Sequence, residues 1–186
     1  MDKFFGNLNL VLGVGLLLAL AMMGIFHTDE INASAVLQWL HVFFAITWIG
    51  LLYYFNFVQT PVMPTVPAEL KPGVSKYIAP KALFYFRWGA AFTVLTGLCL
   101  AYVNGFLVEA LSYRDGFRLI GTGMWLALIM AFNVWFIIWP NQKKVLGLVA
   151  AEDSAKAAAA RIAGFASRTN VMLSIPMLYA MTAYRY

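Results

Sequence analysis

The sequence predicts an all-α integral membrane bundle of about five transmembrane helices, with the N-terminus in, the C-terminus out, and a cytoplasmic amphipathic helix between the fourth and fifth spans. Three observations carry this. The 186 residues are 62% hydrophobic and only 11% charged, where a soluble domain carries about a quarter of its residues charged. Apolar runs recur at lengths close to the roughly 20 residues that cross a bilayer core. The basic residues fall on alternate connections between those runs, as the positive-inside rule requires. The length suits one bundle, a single domain over residues 1–186.

The predicted spans are Leu8–Phe26, Ala35–Val58, Phe84–Val103, Phe117–Trp139 and a shorter Thr169–Tyr184. The first follows MDKFFGN, whose lysine is balanced by an aspartate, and no small-residue cleavage site follows it. It reads as a retained helix rather than a signal peptide. With the N-terminus inside, ten basic residues (Lys3, Lys71, Lys76, Lys81, Arg87, Lys143, Lys144, Lys156, Arg161, Arg168) fall on the cytoplasmic side. Three (Arg114, Arg118, Arg185) fall outside. The net charge of +5 is therefore a topology signal that also suits anionic headgroups of the lipid bilayer, and nucleic acid is not an expected partner. The expected location is the bacterial cytoplasmic (inner) membrane.

The connections differ in kind. HTDEINAS is a short outer turn in which Asn32 or Ser34 can cap the next helix. QTPVMPTVPAELKPG has four prolines and reads as an extended inner loop. VNGFLVEALSYRDG is an outer loop. Residues 145–166 are alanine-rich with mixed charges, a strong helix former, and read as a cytoplasmic helix on the membrane surface or capping the bundle. The single cysteine, Cys99, lies in an apolar run and reads as a small buried hydrophobe.

Polar residues inside the spans mark function or helix contacts. On the second helix Gln38, His41, Ala45, Trp48, Leu52, Asn56 and Gln59 recur at steps of three and four, so they share one face. That face looks into the bundle. The fourth helix carries Gly121, Gly123 and Asn133, the third carries Arg87, Thr93, Thr96 and Gly97, and the fifth carries Asn170 and Ser174. An outer layer results, with His41, Gly121, Gly123 and His27. His41 lies about 9 Å below the outer end at 1.5 Å per residue. An inner layer holds Arg87, Asn56, Asn133, Pro140, Asn141, Gln142 and Asn170.

A histidine facing small residues near the outer surface suits haem b: neutral imidazole ligates iron and aromatic walls, Trp48 among them, exclude water. His41 is then the metal ligand, donating its other N–H to a backbone carbonyl or to Gln38. The second axial position is His27 or open. A histidine hydrogen-bonded to a neighbouring helix is the alternative. Arg87 is expected to be held near Asn133, Asn141 or Asn170, or to extend to headgroups. With Gln142, these residues form a candidate site for an anionic or purine-like substrate. No residue stands out as catalytic.

The stretches LQWLHVFFAITWIGLLYYFN, YFRWGAAFTVLTG, MAFNVWFIIWPNQKKV and ASRTNVMLSIPMLYAM resemble the urate oxidase N-terminal family, the membrane domain of bacterial membrane-bound urate hydroxylases. They span four of the five predicted helices. A more distant likeness around WLHVFFAITW joins His41 to small haem-binding membrane proteins such as the histidine-ligated protoporphyrinogen oxidase. The resemblance implies His41 as a membrane haem or cofactor ligand and Asn133, Pro140, Asn141 and Gln142 as a signature near the inner face. It also implies electron transfer to a periplasmic cytochrome c. The sequence departs from the family pattern in holding no CxxCH and in placing Gly121 and Thr169 where the family carries histidines. The expectation is a haem-b membrane redox protein, an oxidoreductase if it acts as an enzyme. The alternative is a non-catalytic small subunit of a larger respiratory or oxygenase complex.

Overall fold

A computed structural model describes residues 2–26 and 32–183. His27, one of the candidate ligands, lies outside the described residues. Among those residues every regular element is helical. Four helical stretches are long and apolar enough to cross a membrane: Leu8–Phe26, Ala33–Thr65, Lys71–Val103 and Arg118–Val145.

The chain divides into two units, Met1–Val36 and Leu37–Tyr186. The first holds α1 (Asp2–Phe5) and α2 (Leu8–Phe26). Asn7 caps α2, its Oδ1 accepting the backbone N–H groups of Asn9 and Leu10 at 3.1 and 3.2 Å. No side chain of α2 is buried, and it is apolar on every side, the composition of a helix surrounded by lipid. The unit ends in the first turn of α3 (Ala33–Tyr53), which Asn32 caps through the Ser34 N–H at 2.9 Å.

The second unit continues α3 through a π-helical turn, Tyr54–Gln59, into α4 (Thr60–Val62) and a 3-10 turn, Met63–Thr65. After a short bend come α5 (Lys71–Gly73), a second π turn at Val74–Ile78 and α6 (Ala79–Val103). Next are α7 (Leu107–Leu111) and α8 (Arg118–Phe132). A third π turn at Asn133–Ile138 leads to α9 (Trp139–Val145), and the long α10 (Asp153–Ala183) closes the chain.

The proline-rich segment is thus mostly helical, where an extended loop is predicted. Proline lacks an N–H and its ring clashes with the carbonyl four residues back. The chain meets this by widening the turn. Thr60, Ala79 and Trp139 each directly precede a proline, and their N–H groups donate five residues back, to the carbonyls of Phe55, Val74 and Val134. The wide turn moves the carbonyl that the ring of Pro61, Pro80 or Pro140 would strike.

The predicted separate helix over 145–166 and the fifth span also differ from what forms. Gly147, at φ 72°, ends the α9 region, and α10 then runs unbroken through both segments. Nothing between Phe165 and Thr169 breaks the helix, and the Thr169 hydroxyl bonds back to the Phe165 carbonyl at 3.1 Å. Ala159, Ala163, Ala166, Asn170, Ser174, Met177 and Ala180 are buried along α10. This stripe of mostly small side chains lets α10 lie close against α8, the third π turn and α9. The alanine-rich part buries one face, through Ala159, Ala163 and Ala166, and leaves Ile162 and Phe165 exposed.

The main core gathers Trp48, Leu52, Phe86, Ala90, Met130 and Val134, with Met177 from α10. A smaller cluster of Ala101, Ala110, Ile120 and Met124 lies at the other end of α6 and α8. Gly89 sits against the α3 backbone: a Cβ there would lie 3.2 Å from the Trp48 nitrogen. This glycine sets how closely α3 and α6 approach.

Candidate functional site

His41 leaves α3 and reaches across to α6. Its Nδ1 lies 2.9 Å from the Thr93 carbonyl oxygen. A carbonyl only accepts, so Nδ1 carries the proton and Nε2 holds the lone pair. The approach depends on Gly97. A Cβ at that position would fall 2.7 Å from the imidazole Cε1 and 3.0 Å from Nδ1, so the ring occupies the space any larger residue would need. Thr93 and Thr96 turn their hydroxyls back to the carbonyls of Gly89 and Phe92, at 2.7 and 2.6 Å. Thr96 Oγ1 also lies 3.4 Å from His41 Nδ1.

Among the described residues, no hydrogen bond forms at His41 Nε2. The ring lines a cavity of about 520 Å³ between α3, α6, α8 and α10, with Gln38, Gly97, Met124, Met177 and Met181 in its walls. The size falls within the roughly 300–1,000 Å³ of small-molecule sites. Val42 and Ile46, both exposed, share the lining, so the cavity opens at its side onto an apolar surface. Trp48 is fully buried and lines the cavity. Its indole N–H is buried with no hydrogen-bond partner among the described residues.

The two glycines expected to face His41 do not line the cavity. A Cβ at Gly121 would run into the Ala110 carbonyl oxygen, so this glycine serves the contact of α8 with α7. Gly123 faces Ala180 and Met181 of α10, where a Cβ would stand 3.0 and 3.4 Å from their side chains. The imidazole's glycine is Gly97. Of the aromatic residues near His41, Phe44 stacks on Phe92 at 4.9 Å and Phe43 is exposed.

The inner layer also pairs differently from expectation. Asn133 donates to Asn170 Oδ1 at 2.9 Å, and Asn170, fully buried, donates to the Met130 carbonyl at 3.0 Å. Asn141 bonds back to the Ile137 carbonyl at 2.8 Å, and Gln142 is half-buried on α9. Asn56 donates to Ser167 at 2.8 Å, and Tyr53 meets Ser174 at 2.9 Å. The asparagines thus bond to one another, to serine and to backbone, and Arg87 joins none of them. Its guanidinium carbon lies 3.3 Å from the centre of the Trp139 ring and 5.9 Å from that of Trp135. Its Nε and Nη1 are buried without hydrogen-bond partners among the described residues. The aromatic face takes the place of the amides. Of the residues assigned to an anionic substrate, Asn133 and Asn170 pair with each other and Arg87 stacks on Trp139, while Asn133 also lines a second hollow with Arg161 and Thr169.

The donor set bears on what the outer cavity can hold. Among the described residues no group of three His, Cys, Asp or Glu side chains stands close enough to bind a bare metal ion. A single imidazole nitrogen in an apolar cavity instead suits a metal whose other ligands come with it, as in a porphyrin. The fixed tautomer, with Nδ1–H held by a carbonyl and Nε2 free, is the one a metal-ligating histidine adopts. The residues present fit haem.

A family model described as urate oxidase N-terminal matches residues 101–186. The match takes in α7 to α10 and the Asn133–Asn170 pair, while His41 and Arg87 lie before it. No curated protein and no solved structure matches the chain. Over residues 101–186 the protein is similar to the urate oxidase N-terminal family, the family its motifs resemble.

Proposed function

We propose that the protein is a haem-b redox subunit of the bacterial cytoplasmic membrane, related to the membrane domain of urate hydroxylases, with His41 as its iron ligand. One observation carries the reading: the Nδ1 bond to the Thr93 carbonyl at 2.9 Å, which leaves the lone pair on Nε2 of a ring that lines the cavity. Haem bound there would supply one-electron transfer. The chain's own part is to fix the imidazole tautomer through Thr93, to keep the ring seated on Gly97, and to exclude water with apolar walls. The open side at Val42 and Ile46 offers a route for an apolar ligand from the bilayer. The basic residues support an N-in, C-out orientation. That orientation puts the cavity toward the periplasm and makes a periplasmic cytochrome c the natural electron acceptor.

The test is the visible spectrum of the purified full-length chain. A Soret band that shifts on dithionite, and that disappears in His41→Ala while the variant stays folded in detergent, is the expected result. A flat spectrum, or unchanged haem content in His41→Ala, refutes the reading and leaves a non-catalytic subunit of a larger membrane complex.

A further inference from the structure

Resting on the haem reading above, we infer that the thioether of Met124 is the second axial ligand, so that the iron sits between an imidazole from α3 and a sulfur from α8. Met124 is buried and lines the same cavity as His41. His41 is anchored to α6, and α6 and α8 run antiparallel with their registers tied at two places. At one, Trp88 meets Trp135, ring centroids 5.6 Å apart. At the other, Ala101 of α6 clusters with Ile120 and Met124 of α8. Equal steps outward from Trp88 and Trp135 bring Gly97, where the imidazole rests, level with Leu126, within one turn of Met124. Met124 thus stands at the height of His41 on a different wall.

The other two methionines in the cavity are placed less well. Met177 belongs to the core around Trp48, and Trp48 lies two turns below His41 on α3. Met181 is packed on α8, its Cε and Cγ 3.4 and 3.5 Å from where a Cβ of Gly123 would be. Met124 is unbranched with a polarizable sulfur, which lets it adapt to a ligand. Histidine–methionine coordination raises the potential of haem iron relative to other axial pairs. The pair would also tie α3 to α8, joining the α3–α6 side of the cavity to the α8–α10 side.

The experiment uses the full chain in detergent, loaded with haemin, and records ferric and ferrous spectra, carbon monoxide binding and redox potential. The wild type is expected to be low-spin, to show the weak near-infrared iron–thioether band when ferric, and not to bind carbon monoxide. Met124→Leu, a near volume-conserving change, should keep the haem, lose that band, bind carbon monoxide and fall in potential. Met177→Leu and Met181→Leu, which alter only the cavity wall, should keep the near-infrared band and remain closed to carbon monoxide. The inference is overturned by a wild type that is high-spin and binds carbon monoxide. It is equally overturned if the band survives in Met124→Leu, or vanishes instead in Met177→Leu, Met181→Leu or His27→Ala. A His41-dependent Soret band with Met124→Leu unchanged defeats this inference alone; no Soret band in the wild type defeats the haem reading beneath it.

Discussion

Gly97→Ala tests the histidine site with a single methyl group. The new Cβ would stand 2.7 Å from His41 Cε1, 3.0 Å from Nδ1 and 3.7 Å from Nε2. A retreat of α6 from α3 would open the close contact of Gly89 with the Trp48 backbone. The imidazole, at the end of its side chain, gives way. Its swing breaks the 2.9 Å bond to the Thr93 carbonyl, and a lost hydrogen bond costs about 0.5–1.5 kcal/mol. With some lost packing the total is about 1–2 kcal/mol. For a chain of this size each kcal/mol lowers the melting temperature by about 2–4 °C. Thermal unfolding in detergent should therefore show a drop of about 2–8 °C, and haemin binding should weaken because Nε2 is no longer aimed. Gly164→Ala is the control, since no atom lies within 4 Å of its added Cβ. It should be neutral or stabilise by about 0.5–1 kcal/mol. If Gly97→Ala melts at or above wild type and takes up haemin normally, the imidazole does not rest where described and the reasoning about its tautomer fails.

Three further outcomes follow from packing. Asn133→Ala and Asn170→Ala should each destabilise, and the double variant should lose less than their sum by about 0.5–1.5 kcal/mol; strict additivity would deny the bond between them. Gly121→Ala should cost more than Gly97→Ala, above about 2 kcal/mol, because its Cβ meets a backbone carbonyl rather than a movable ring; a smaller loss by chemical unfolding would mean α7 yields. Trp139→Leu should cost about 1–2 kcal/mol through Arg87, with Trp139→Phe recovering part of it; equal melting of the two variants would show that ring stacking contributes nothing.

What the sequence made legible was mostly periodic. The step of three and four through His41, Trp48 and Leu52 placed these residues inside the bundle, and Trp48 and Leu52 are fully buried there. Asn32 was readable as a cap because the N-cap preference is local. The partners of these residues were not readable, because periodicity fixes a face and a depth but not which neighbour fills the space opposite. Gly121 and Gly123 have a depth near that of His41, yet they point at α7 and α10. In the sequence Gly97 is only a small residue of the third predicted helix. The sequence pairs Arg87 with the asparagines or with headgroups because a buried cation needs partners. The asparagines had nearer ones, and the tryptophan in the WPNQ stretch offered a face instead. The helix expected over 145–166 joins the fifth span because the helix propensity of the alanine-rich stretch continues into Thr169 without a stop signal.

The wide turns before Pro61, Pro80 and Pro140 act as phase shifters. Each adds about one residue to a helical turn, which rotates everything beyond it by about 100° relative to a regular helix. The azimuth of the segment beyond each proline is therefore set separately from that of the segment before it, by chain length and not by side-chain choice. A stripe counted in threes and fours through Asn56 to Gln59 loses its meaning partway along. Replacing one of these prolines removes the reason for a wide turn but leaves its extra residue in place. Restoring a straight helix would take a deletion as well, and the deletion would turn the Trp139 ring or the Arg87 guanidinium away from its present neighbour.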